Sequence, residues 1–120
     1  MEDEELENGF IHFSRIRLLQ NEPIMFEDTF LSKTKLPKFC SSPFVNNSFF
    51  DTLSINHNIE ITGVIQKFQA ILATEEMAKN LKLKTGAPIL KIIRKLSTNK
   101  SRFYIYSFAY CNTDKFTIET

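Results

Sequence analysis

Two runs of apolar and β-favouring residues, 10–19 and 23–32, are separated only by Gln20-Asn-Glu-Pro23, and this constrains the fold more than any other feature of the chain. Parallel pairing needs a crossover of a dozen or more residues, so a gap this short predicts an antiparallel β-hairpin. The first run, Phe10-Ile-His-Phe-Ser-Arg-Ile-Arg-Leu-Leu19, carries two arginines two residues apart. Side chains alternate across a strand, so Arg15 and Arg17 share a face with Ile11, Phe13 and Leu19. A guanidinium stays protonated and is costly to bury unpaired, so two of them on an apolar face call for an anion. With a loop of Gln20-Asn21-Glu22, Arg15 opposes Glu27 and Arg17 opposes Met25; other loop lengths give other registers. The cluster then reads in one of two ways. It is a cross-strand ion pair on a solvated face, contributing under ~1 kcal/mol, or it is a polar patch in a cleft. In the second reading Arg15 and Arg17 bind an anion and Glu27 accepts from hydroxyl or amine groups.

The remaining pattern places helices between hairpins. Residues 33–43, with Pro37 and Pro43, read as a loop. From Phe44 to Leu53 apolar residues at 45, 49, 50 and 53 follow helical spacing, with Asn46 or Asn47 as cap. A helix N-terminus presents free N–H groups, so Asn47-Ser48-Phe49-Phe50 is either an ordinary cap or a second anion site. Residues 59–73 form a long extended run, with Gly63 as a candidate bulge. Thr74 to Leu81 reads as a short helix capped by Thr74, with Glu75 and Glu76 in its first turn. After the turn Lys84-Thr-Gly-Ala-Pro88 come strands at Ile89–Leu96 and Phe103–Asn112, joined by a polar loop, and a last short strand at Phe116–Glu119. In Phe103–Tyr110, Tyr104, Tyr106 and Phe108 share one face and Ile105, Ser107 and Ala109 the other. That segment is either an aromatic core strand or one wall of a pocket. The order β-β-α-β-α-β-β-β implies an α+β domain with a largely antiparallel sheet.

Charge and motifs exclude several function classes. Of the 14 acidic residues five stand in residues 1–9, which leaves nine against 15 basic residues in the rest of a chain whose net charge is +1. Such a modest, scattered excess does not indicate nucleic acid. Cys40 and Cys111 form no CxxC pair, so neither a cysteine metal site nor a disulfide framework is expected, and a reducing, cytoplasmic compartment fits. No apolar run reaches 18 residues and the acidic N-terminus is not a signal peptide. No phosphate loop, GxSxG elbow or HExxH pair is present. His12, on a strand face, and His57, in a loop, read as structural. No catalytic residue, metal or cofactor is expected.

These segments, in this order, resemble the UTRA domain, the effector-binding module of GntR-family, HutC-type transcription regulators. Arg15-Ile-Arg-Leu-Leu-Gln-Asn-Glu-Pro-Ile24 with Phe26-Glu27 is similar to that family's opening strands. Ser48-Phe-Phe50 is similar to its helix start, and Tyr106-Ser107 through Asp114-Lys-Phe116 to its closing strands. The most specific part runs from Thr74 to Ile92 and includes Gly86-Ala-Pro-Ile-Leu90. The resemblance implies a chorismate-lyase-like antiparallel sheet with helices packed on it across residues 10–120, preceded by a disordered or linker segment at 1–9. It implies a homodimer that binds a small anionic effector, a sugar phosphate or organic acid. Operator DNA would be met only through an N-terminal winged-helix domain, which residues 1–9 are too short to hold. Arg15, Arg17 and Ser48 would contact the effector's anionic group, with Glu27, Phe50, Tyr106 and Ser107 around it. The chain departs from the family pattern at Phe50, Ile105 and Cys111, which alters the half of the site that reads amine or hydroxyl groups. Two other readings compete: an enzyme related to chorismate lyase, and a dimerisation module with a degenerate pocket. The dimer contact is expected along Phe103–Tyr110 and Ile89–Leu96.

Overall fold

The computed structural model describes residues 9–32 and 44–113. The acidic segment at 1–8, the loop reading for 33–43 with Cys40, and the strand expected at Phe116–Glu119 lie outside the described residues. The elements are β1 (Phe10–Leu19), β2 (Glu22–Ser32), a 3-10 turn (Val45–Asn47), α1 (Phe49–His57), β3 (Ile61–Leu72), α2 (Glu75–Leu81), β4 (Pro88–Thr98) and β5 (Tyr104–Cys111). The five strands form one antiparallel sheet in the order β1-β2-β5-β4-β3, the α+β architecture expected. Among the described residues, β4 and β5 are interior strands whose edges are already paired, while β1 and β3 are the outer strands. A dimer contact along β5 and β4, as expected, would therefore use their faces and not their edges.

The first hairpin closes more tightly than expected. Its turn is Gln20-Asn21, both in the left-handed region at φ 51° and 65°, as a two-residue I′ turn requires. Such a turn opposes Leu19 to Glu22 and so sets odd residues of β1 against even residues of β2. The side-chain pairs higher up have matching parity: Ser14 donates to Asp28, and Arg17 meets Glu27. One residue is therefore taken up as a bulge between turn and pairs, a device common on edge strands.

The first helix also starts later than expected. Asn46 adopts φ 52°, which breaks the backbone between the 3-10 turn and α1. Ser48 rather than Asn46 or Asn47 is the cap, its Oγ accepting from the Asp51 N–H at 3.2 Å. The helix runs on to His57, which therefore sits in its last turn and not in a loop, and ends at Asn58 with φ 55°. Thr74 caps α2 as expected, accepting from the Met77 N–H at 3.3 Å.

The chain divides into two compact units. The first comprises the described residues within Met1–Ile11, Phe30–Ile65 and Lys95–Tyr106. Its buried apolar side chains include Leu31, Phe49, Leu53, Ile59, Leu96, Phe103 and Ile105. The second comprises those within His12–Thr29, Gln66–Arg94 and Ser107–Thr120. In it α2 packs through Ala78 and Leu81 with Ala73 and Ile89, against Phe26 and Tyr110. A second cluster joins Ile92, Ala109 and Cys111 with Met25 and Leu90. Ile89 and Ile92 differ in strand parity, as do Tyr110 and Cys111, so the two clusters lie on opposite faces of the sheet.

Candidate functional site

On the face opposite α2, the second unit carries a row of polar side chains with a contribution from every strand. It begins on β1, where Arg17 Nε lies 2.8 Å from Glu27 Oε1 on β2. On β5 it continues with Ser107 and Cys111, flanking Ala109 on the buried face of a strand whose exposure alternates without exception. On β4, Arg94 stands two residues beyond Ile92 on the same face, and its Nε donates to Gln66 Oε1 of β3 at 2.9 Å. Ile92 packs with Ala109, and both strands run from there toward the connection that joins them. Two residues further along each, Arg94 therefore comes beside Ser107. Alternation in β1 places Arg15 on the face of Arg17.

The electrostatics tie the row together. Burial pushes the Cys111 thiol above its usual 9.0; Arg94 pulls it back and Glu27 adds to the rise. Cys111 thus lies within the fields of both charges, between them in strand order. Its thiol stays neutral at physiological pH, so it is an apolar floor element and not a nucleophile. Ser107 is 5 % exposed, and among the described residues its hydroxyl has no hydrogen-bond partner. Buried hydroxyls are satisfied in the large majority of cases, so this one marks a place where a partner is due. Among the described residues of the row, Arg17 pairs with Glu27 while Arg94 meets a neutral amide, and an anion is the group such an arrangement attracts. Among the described residues no group of three or more His, Cys, Asp or Glu side chains comes together.

The other expected site residues fall elsewhere. Ser48 and Phe50 belong to the first unit. Ser48 Oγ is engaged by the Asp51 N–H, and Phe50 is half exposed with its ring 5.3 Å from that of Phe49. Tyr106 and Ser107 are neighbours on β5 and so point to opposite faces, which prevents them from lining one wall together. Tyr106 lies with Tyr104 under Lys95, at 5.9 and 4.3 Å, while Lys91 stands 5.4 Å from Phe108 and 5.8 Å from Tyr110. Ile105 is fully buried. On the α2 face His12 Nε2 lies 2.9 Å from Asp28 Oδ1. There burial, with Asp28 and Glu76, raises the Tyr110 hydroxyl above its usual 10.0.

Arg94 and Gln66 were not singled out from the sequence. The signal that could have found Arg94 is the one that found Arg15 and Arg17. In β4 the even positions Leu90, Ile92 and Leu96 are apolar, and Arg94 is the cation that interrupts them.

The profile of the UTRA domain matches residues 6–117 of the chain. Among solved structures, the C-terminal domain of Yurk from Bacillus subtilis superposes with a TM-score of 0.85 at 19 % identity, over 97 % of this chain and 82 % of that one. A GntR-family transcriptional regulator from Enterococcus faecalis V583 gives 0.83 at 23 % identity, over 98 % and 86 %. The C-terminal domain of the histidine utilization repressor from Pseudomonas syringae gives 0.78 at 20 % identity, over 92 % and 77 %. The match of sheet and helices to these domains fixes the fold, and the span of the profile fixes the family: the chain belongs to the UTRA domain family.

Proposed function

We propose that this UTRA domain is the effector-binding part of a GntR-type transcription regulator and that its effector is a small anionic metabolite, a sugar phosphate or organic acid. The observation that carries this is the row across the sheet, where among the described residues Arg94 meets only a neutral amide beside the Arg17–Glu27 pair and a buried serine hydroxyl awaits a partner. Arg15 and Arg17 hold the anionic group, and Glu27 and Ser107 read the hydroxyls beside it. Within its own unit, Ser48 with the N–H groups of the α1 start is a further point where an anion is welcome, with Phe50 next to it. The similar structures of a GntR-family transcriptional regulator and of a histidine utilization repressor lend support. DNA contact belongs to a winged-helix domain, and the protein works in the cytoplasm.

The domain acts as a homodimer, since a two-fold operator is read by a two-fold protein. The edge strand β3 is the surface that suits a second copy: Val64, Ile65, Phe68 and Leu72 are exposed on its two faces, Ile65 at 63 % and Leu72 at 68 %. An apolar edge of this kind has to be covered. Sedimentation at tens of micromolar should give twice the chain mass, and a charged substitution such as Ile65→Lys should halve it.

A thermal-shift screen of inorganic phosphate, sugar phosphates and organic acids tests the central reading. A ligand at 100 times its dissociation constant adds ~2.7 kcal/mol to the folded state. A screen in which no anion raises the melting temperature would sink it. The domain binds without catalysis, so mixing it with chorismate should release no pyruvate; release would favour the lyase-like enzyme instead.

A further inference from the structure

We propose that Arg94, steadied by Gln66 and beside Ser107, is a second anion-reading point, so that the effector carries two anionic groups: one for Arg15 and Arg17, one for Arg94. This rests on the effector-binding reading above and adds the class of effector. Three observations point to it. Arg94 meets a neutral amide, not a carboxylate, so its charge is not balanced by the partner that holds it. With Nε engaged by Gln66 the guanidinium is fixed in place, and among the described residues its Nη groups have no partner. A planar fork held by one nitrogen is pre-organised to take a carboxylate or phosphate with the others. The third is Ser107, a buried hydroxyl without a partner, next to that fork.

Strand order then sets the shape of the ligand. Arg17 and Arg94 are on β1 and β4, with β2 and β5 between them. Three strand steps of about 4.8 Å separate their backbones by roughly 14 Å. Gln66 holds Arg94 toward β3, away from Arg17, so one phosphate cannot meet both. Between them lie the Glu27 carboxylate, which Arg17 pairs with, and the floor of Met25, Ala109 and Cys111, whose thiol burial keeps protonated. A short hydroxylated chain with an anion at each end fits this row, its anions on the arginines and a hydroxyl donating to Glu27.

The test uses two matched series of probes, alkylphosphonates of two to six carbons and ω-phosphonocarboxylates of the same lengths, titrated by calorimetry into the wild-type chain. At one spacer length the phosphonocarboxylate should bind at least tenfold more tightly than its matched alkylphosphonate. Arg94→Gln should erase that advantage and leave alkylphosphonate affinity within twofold. Gln66→Glu, on an exposed edge-strand position, should erase it too, by giving Arg94 an internal carboxylate. Arg17→Ala should weaken both series. If alkylphosphonates bind but no length gives an advantage, or if the advantage survives both β3 and β4 substitutions, Arg94 is not a second anion point and the single-anion site stands. If no member of either series binds at ten millimolar, the effector-binding reading fails with it.

Discussion

The polar side chains around α1 and those of the row across the sheet are similar in kind and opposite in use. Around α1 the hydrogen bonds close on the chain itself. Thr52 Oγ1 donates to the Ser48 carbonyl at 2.7 Å and accepts from the Val45 N–H at 2.8 Å. Asn99 donates from Nδ2 to the Asn58 carbonyl at 3.0 Å and accepts at Oδ1 from the Glu60 N–H at 2.9 Å. Ser54 donates to Glu60, and Thr98 to the Phe103 carbonyl. In the row, Arg94 has one neutral partner and Ser107 has none among the described residues. A saturated polar group fixes the backbone around it; an unsaturated one in an otherwise buried place keeps capacity for a molecule from outside. If that difference is real, substitutions in the two regions must separate stability from binding.

The largest effect is expected on binding, at Arg17. Charge-assisted contacts to an anion contribute about 1.5–3 kcal/mol each. Arg17→Ala should therefore weaken inorganic phosphate or alkylphosphonate binding by tenfold or more in calorimetry. Its side chain is 55 % exposed, so loss of the Glu27 pair should move the urea midpoint by less than ~1 kcal/mol of stability. Unchanged affinity would remove Arg17 from the site.

Thr52→Val makes the converse case. Thr52 is 1 % exposed and its hydroxyl joins two backbone groups that lie before and at the start of α1. Valine keeps the shape and leaves the Val45 N–H without its acceptor, at a cost of about 1–3 kcal/mol. Urea denaturation should register this as a lower midpoint with an unchanged slope, while phosphate affinity at the row stays as it was. A stable Thr52→Val variant would mean that the closed network around α1 is incidental.

How much of this was legible in the sequence follows from the same contrast. The sheet was legible because β1, β2, β4 and β5 announce themselves by β-favouring runs and turn residues, and α2 by Thr74 and the acids after it. The turn of the first hairpin was not, because Gln20 and Asn21 both take the left-handed backbone and close it with two residues, not the three expected. The start of α1 was missed because Asn46 can cap a helix or take a left-handed backbone, and here it does the second. On the site, alternation put Arg15, Arg17 and Glu27 on one face, but the expected register opposed Glu27 to Arg15, and the ion pair at Glu27 is made by Arg17. Arg94 was hidden among cations: Lys91 and Lys95 surround it in sequence, and only strand parity separates them. The lysines stand over aromatic rings on one face and Arg94 joins the row on the other.

Ser107→Ala should act with the opposite sign to Thr52→Val. Its hydroxyl is buried and without a partner among the described residues, so the folded chain already bears the desolvation of that group. Removing it should raise the melting temperature slightly, by up to ~1 kcal/mol of stability, and weaken binding of the ω-phosphonocarboxylate that uses Arg94. A loss of stability as large as that of Thr52→Val would show that Ser107 is a structural staple like the groups around α1.

The smallest effect is a pH dependence, and it probes the middle of the row. Burial raises the Cys111 thiol above its usual 9.0, so the folded state holds its proton more tightly than the unfolded one. A group raised in this way contributes stability in full below its unfolded value and loses it as pH climbs through the folded one. Tyr110, raised above 10.0 on the α2 face, acts with the same sign at higher pH. Stability from urea denaturation should therefore be level up to about pH 8 and decline beyond pH 9. Cys111→Ala should flatten the first part of that decline and keep the later part that belongs to Tyr110. Arg94 draws the thiol downward and Glu27 pushes it up, so Arg94→Gln should steepen the first part and Glu27→Gln should soften it. If neither substitution changes the slope, Cys111 does not lie between the two charges, and the row is two separate pairs, Arg17 with Glu27 and Arg94 with Gln66.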